Sequence, residues 1–220
     1  QRMQKSDLII INGIGFENWI DNLEETNYHG VIVDTSNGIL VRNFDQEQIN
    51  SSGDPHIWLN PVYAKIQVQN IANAFSNSDP DNQQYYQFNA AKYIEQLDLL
   101  DLKIRNELSD CNQDFVAFHD AFSYFADEYN LNQHTIISSN SPHGEATART
   151  LKEIISTSRE LNIKVIFSEE NVNTRTSEII ANEIDGKVLV LSTLEIFSDG
   201  TYISKMTENL NNLREALCRK

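Results

Sequence analysis

Residues 115–120 read Phe115-Val-Ala-Phe-His-Asp120, an apolar run of strand length closed by an imidazole and a carboxylate. Downstream come a helix-spaced set, Phe122, Phe125, Ala126 and Tyr129, a β-rich run at 135–138, and a second helix face of Leu151, Ile154, Ile155 and Leu161. Lys164-Val-Ile-Phe167 then precedes a helical stretch over 174–184, and Lys187-Val-Leu-Val-Leu191 precedes a last one over 202–217. Four βα units in about 105 residues need crossover connections, so the strands are expected to run parallel, with helices on both faces of the sheet.

Upstream the alternation is looser. Asp7-Leu-Ile-Ile-Ile-Asn12 reads as a strand closed by Gly13 and Gly15, after which Phe16, Trp19, Ile20 and Leu23 fall at helical spacing. Val31-Ile-Val33 gives a second strand. A polar stretch over 43–53 leads to Asp54-Pro55, where Asp54 can cap a helix and Pro55 suits its first turn. Val68, Ile71, Ala72 and Phe75 mark a helix over 61–75, and Asn77-Ser-Asp-Pro80 breaks it. Residues 81–108 then hold no Gly or Pro, a helix of about 40 Å at about 1.5 Å per residue. It either separates two lobes or lies across a single domain.

Of 220 residues, 40% are hydrophobic, enough for a sizeable core, and 17 Lys and Arg face 32 Asp and Glu for a net charge of -15. Such a chain is repelled by phosphate backbones and anionic lipid, which excludes nucleic acid as a partner, while the acidity is compatible with attracting metal cations. No apolar run reaches bilayer-spanning length. Cys111 and Cys218 either pair or stay free, and two cysteines fix neither the pairing nor the compartment.

Ligands of open parallel sheets sit beyond the carboxyl ends of the strands, so polar residues there are the ones to weigh. His119 follows the 115–118 strand, Glu169 and Glu170 follow 164–167, and Glu195 lies beyond Leu191 with Asp199 four residues further. His56 sits in the Pro-bounded segment 54–61. Singly, each is an ordinary cap or a hydrogen-bonded structural residue. Together, two imidazoles and a carboxylate make the nitrogen and oxygen set that suits zinc, with one position left for another group, and Asp54 and Asp120 are expected to orient the two rings. His29 and His134 are expected as exposed residues near turns and His143 as a surface loop residue; Trp19, Trp58 and the aromatics of 122–129 are expected in the core.

Four segments carry a resemblance: Asp54-Pro-His-Ile-Trp-Leu-Asn-Pro61, Phe118-His-Asp-Ala-Phe-Ser-Tyr-Phe125, Gly144-Glu-Ala-Thr-Ala148 with Leu151, and Met206-Thr-Glu-Asn-Leu210. In this order, and with residues 7–17 as the early strand and turn, they resemble the metal-binding solute-binding proteins of bacterial zinc and manganese ABC importers, the cluster A-I type. The resemblance implies an α/β fold of two lobes with helix-flanked parallel sheets, an N-terminal lobe at 1–79, a rigid linking helix at 80–110 and a C-terminal lobe at 111–220. It implies a divalent ion in the cleft between the lobes, held by His56 and His119 as the family's second and third ligands. A histidine at the third place favours zinc over manganese. The fourth ligand is Glu195, with Asp199 as competitor.

The family's first ligand is a histidine in a segment before Asp7, and the sequence as given has none there. Its absence reflects truncation, a site of three side chains and water, or weak binding, and an unpaired strand edge is expected in the first lobe. Residues 43–53 contain no His, so no metal-collecting loop is expected. The implied function is capture of the ion, not chemistry: a monomer, periplasmic or extracellular and lipid-anchored in its full-length form, that presents zinc to a permease. Protonated imidazoles do not coordinate, so affinity should fall below about pH 6. The rivals are a zinc hydrolase with Glu169 or Glu170 as general base, and an adhesion or scaffold protein in which His56 and His119 are unrelated.

Overall fold

The computed structural model describes residues 3–24, 28–42, 53–137, 146–170, 172–196 and 199–218. The chain is α/β and divides into two compact units, Gln1–Leu99 and Leu100–Lys220. His143, residues 43–52 of the polar stretch and the Gly144-Glu145 start of one of the quoted segments lie outside the described residues.

In the first unit β1 (Leu8–Ile11) pairs in parallel with β2 (Val31–Asp34), Leu8 opposite Val31 and Ile11 opposite Asp34. The helix read into 16–23 is shorter than its apolar spacing suggests. Only α1 (Ile20–Glu24) forms, because Gly13, Ile14 and Gly15 all take positive φ and the Glu17 carboxylate accepts the backbone N–H groups of Asn12 and Gly13 at 2.7 and 3.1 Å. Phe16 and Trp19 are consequently exposed, Trp19 to 39%, and Trp19 is not a core residue. Trp58 is half-buried, its ring 5.0 Å from that of Phe16.

Helix α2 (Pro61–Ser78) is capped by Asn60, whose side chain accepts from Val62 N and Tyr63 N, with Pro61 at the first position. The cap expected at Asp54 is therefore six residues early; Asp54 is occupied by His56, as described below. Helix α2 packs on β2. Gln67 Nε2 donates to Asn12 Oδ1 and Thr35 Oγ1, both at 3.0 Å, and Asn70 Nδ2 donates to Thr35 O at 3.0 Å. After a short 3-10 turn, α3 (Gln83–Leu108) runs 26 residues from the first unit into the second.

The second unit holds a four-stranded parallel sheet in the order β4-β3-β5-β6, built from β3 (Asp114–His119), β4 (Asn132–Ile137), β5 (Val165–Ser168) and β6 (Lys187–Val190). Between and after the strands come α4 (Ser123–Glu128), α5 (Ala148–Glu160), α6 (Arg175–Glu183) and α7 (Tyr202–Leu217). The four βα units are those of the sequence reading. Strand β3 is buried from Phe115 to His119, as a central strand covered on both faces must be. Val116 and Phe118 cluster with Ile154 of α5 and Ile180 and Ala181 of α6. The two-residue period sends Phe115, Ala117 and His119 to the opposite face, and α7 packs on β3 and β6.

Cys111 and Cys218 form a disulfide, closing a span of 107 residues that is nearly the whole second unit. Asn112 N donates to Leu217 O at 3.1 Å alongside it. His134 lies within β4, with Nε2 2.9 Å from Asp114 Oδ1, and so belongs to a strand pair and not to a turn. No helix among the described residues is long and apolar enough to cross a membrane.

Candidate metal centre

In the first unit His56 is held by its own neighbourhood. The chain bends at Asp54-Pro55, so that Asp54 Oδ1 accepts the His56 backbone N–H at 3.0 Å and contacts ring Nδ1 at 2.7 Å. Both side chains are fully buried. Asn12, just past β1, donates from Nδ2 to Pro55 O at 2.9 Å and ties this bend to the carboxyl end of the small sheet. A carboxylate on Nδ1 keeps the proton there and directs Nε2 to the ligand role. The expectation that Asp54 orients this ring is met.

In the second unit His119 closes β3. The expectation that Asp120 orients it fails: Asp120 Oδ1 accepts from Ser123 Oγ at 2.5 Å and Gln133 Nε2 at 3.1 Å. The residue that orients the ring is Glu169, whose Oε1 lies 2.6 Å from His119 Nδ1 and 3.1 Å from its backbone nitrogen. The signal for it is the strand register. Val116 of β3 sits opposite Ile166 of β5, an offset of 50, and three residues further the same offset brings His119 opposite Glu169.

Glu195, in the loop after β6, brings Oε1 to 3.7 Å from His119 Nε2. Two ligand atoms at about 2.1 Å from a tetrahedral zinc are separated by about 3.4 Å, so the pair is spaced as ligands of one small ion. Asp199, the competitor for this role, is exposed. Glu170 turns away from the ring: Oε2 accepts from Ser192 Oγ at 2.8 Å and Oε1 from Lys205 Nζ at 3.1 Å, and the carboxylate holds the Lys205 ammonium pKa above its ordinary value. His29, in the first unit, is exposed and His134 is engaged by Asp114, so neither takes part.

The geometry thus provides two buried imidazoles, each fixed at Nδ1 by a carboxylate, and a third carboxylate beside one of them. A family model described as "ZnuA: Zinc-uptake complex component A periplasmic" matches residues 1–216. The chain belongs to this family of periplasmic zinc-uptake components.

Among its relatives, the high-affinity zinc uptake system protein ZnuA of Bacillus subtilis (strain 168) is 34% identical over 237 residues, an alignment that covers 99% of this chain and 74% of the relative. A crystal structure of ZnuA superposes with a TM-score of 0.87 at 29% identity, over 98% of this chain and 81% of that one. The Zn(II)-bound AdcA of Streptococcus pneumoniae gives 0.83 at 29% identity, over 100% of this chain and 48% of AdcA, so the chain spans about half of that protein's length. Zinc is the ion these relatives are named for, and a hydrolase finds no support among them.

Proposed function

We propose that the chain binds one zinc ion outside the cytoplasm in a cleft between its two lobes, with His56 Nε2, His119 Nε2 and Glu195 as ligands, and passes it to an ABC permease. The observation that carries this reading is the His119–Glu195 pair, 3.7 Å apart and with the ring already oriented by Glu169. Neutral imidazoles and one carboxylate replace part of the ion's hydration shell, and fixing the rings beforehand removes most of the ordering cost of binding. In this reading the chain acts as a monomer, α3 links the lobes as a rigid element, and zinc is favoured over manganese by the histidine at 119.

The hydrolase alternative needs a general base beside a metal-bound water. Glu169 is engaged by the His119 ring and Glu170 by Ser192 and Lys205, which speaks against either in that role. Elemental analysis of the purified chain tests the proposal. Roughly one zinc per chain is expected in the wild type and much less in His119→Ala and Glu195→Ala. Equal zinc content in all three, at unchanged circular dichroism, would remove these residues from the site.

A further inference from the structure

The Met206-Thr-Glu-Asn-Leu210 segment of α7 is as distinctive as the histidine segments, yet supplies no ligand. Its Asn209 is buried, and its side chain grips the backbone of Ser192 from both sides: Asn209 Oδ1 accepts Ser192 N–H and Asn209 Nδ2 donates to Ser192 O, each at 2.8 Å. The Ser192 hydroxyl is held in turn. It donates to Glu170 Oε2 at 2.8 Å and accepts from Leu194 N at 3.4 Å, while Lys205 fixes Glu170 through its other oxygen.

Every group of Ser192 that can hydrogen-bond is therefore engaged, two residues before a strained position. Leu194 has φ +56, a conformation that a branched side chain adopts only where its surroundings impose it. The next residue is Glu195. Register supplies the rest: Ser168 of β5 lies opposite Val190 of β6, an offset of 22, which continued by two residues sets Glu170 against Ser192. Adjacent carboxylates at the end of β5 thus point to opposite neighbours, Glu169 to the strand that carries His119 and Glu170 to the loop that carries Glu195.

We infer that Ser192, clamped by Asn209 and Glu170, is a positioning residue that holds the Leu194 turn and so keeps the Glu195 carboxylate beside His119 Nε2. This rests on Glu195 being a zinc ligand. Loosening the clamp lets Leu194 relax to negative φ and swings the carboxylate away. Only the fraction of molecules with Glu195 in place then binds with full strength, and apparent affinity falls by that fraction.

The test is a double-mutant cycle read by zinc affinity, from chelator competition with zinc alone. Ser192→Ala removes one oxygen and leaves the Asn209 contacts intact; it is expected to weaken binding about tenfold, and Ser192→Thr, which keeps the hydroxyl, to restore most of it. In a Glu195→Ala background, itself weakened, Ser192→Ala should add nothing. Weakening of the same size in both backgrounds would mean a general structural effect and overturn the inference, as would wild-type affinity for Ser192→Ala when Glu195→Ala is impaired. Wild-type affinity for Glu195→Ala would instead overturn the ligand assignment, and the clamp with it.

Discussion

Glu169 never touches the proposed ion, yet replacing it should change zinc affinity by an amount that depends on what replaces it. Its Oε1 accepts from both the ring Nδ1 and the backbone nitrogen of His119, with both side chains out of solvent. A ligand role for Nε2 forces the ring proton onto Nδ1 and makes that N–H a stronger donor, so the bond to Glu169 is worth more in the loaded state than in the empty one. Glu169→Gln keeps an acceptor of the same shape and loses the charge. A hydrogen bond to a charged group contributes about 1.5–3 kcal/mol and a neutral one about 1, so the substitution should cost about 1 kcal/mol, about fivefold in affinity.

Glu169→Ala leaves a buried donor without its acceptor, about 2 kcal/mol or about 30-fold, and also frees the tautomer. Both figures are upper bounds, because whatever the empty protein loses equally does not register in binding. Asp120→Ala is the control, since Asp120 holds Ser123 and Gln133, and should leave affinity unchanged. Competition with a zinc chelator at pH 7.5 reads all three. A Glu169→Ala protein with native circular dichroism and wild-type zinc affinity would refute the argument that this carboxylate sets the ring.

Closing a span of 107 residues removes about 16 cal/mol/K of chain entropy from the unfolded second unit, about 4.8 kcal/mol at 25 °C, so reduction of Cys111–Cys218 should lower its urea midpoint strongly; an unchanged midpoint under reductant would contradict this. Asn12→Ala removes the donor to Pro55 O and an acceptor for Gln67, and is expected to cost about 1–2 kcal/mol of stability and to weaken zinc binding without removing a ligand, read as melting temperature and affinity together. Acid should release zinc, because the proton and the ion compete for the same ring nitrogen and affinity therefore declines as pH falls. Calorimetric titrations giving one affinity at pH 7.5 and pH 5 would exclude histidine ligands.

The strands of the second unit were legible as short continuous apolar runs, as buried parallel strands are, and its helices by apolar residues at a period of 3.6. Phe122 and Phe125 are as buried as their spacing implied. The first unit was less so. Phe16 and Trp19 have helical spacing, but three consecutive positive φ values and the Glu17 carboxylate on Asn12 and Gly13 hold the chain in a turn there. At the start of α2 the sequence offers Asp54-Pro55 as the cap, but the structure caps the helix with Asn60 and gives Asp54 to His56. The proposed ligands His56, His119 and Glu195 were named from their places beyond strand ends and in motifs. The disulfide and the Glu169 contact could not be named so, since both join residues far apart along the chain.

The two histidine–carboxylate pairs solve one chemical problem under different backbone constraints, and this explains which of them could be read from sequence. His56 lies in a loop that bends through Pro55, so a carboxylate two residues earlier can reach its ring. His119 ends an extended strand, where adjacent side chains point to opposite faces and residues 117 or 121 cannot fold back to Nδ1. Its partner must come from the neighbouring strand, at the same height and on the same face. Parallel pairing makes that position calculable: one register, Val116 opposite Ile166, delivers Glu169 to His119, and the next, Ser168 opposite Val190, delivers Glu170 to Ser192. A shift of one residue in β5 would exchange the faces of the two carboxylates, leaving His119 without Glu169 and Ser192 without Glu170. The pairing of β5 with β3 and β6 that sets this register therefore also sets the orientation of both proposed ligands of the second unit.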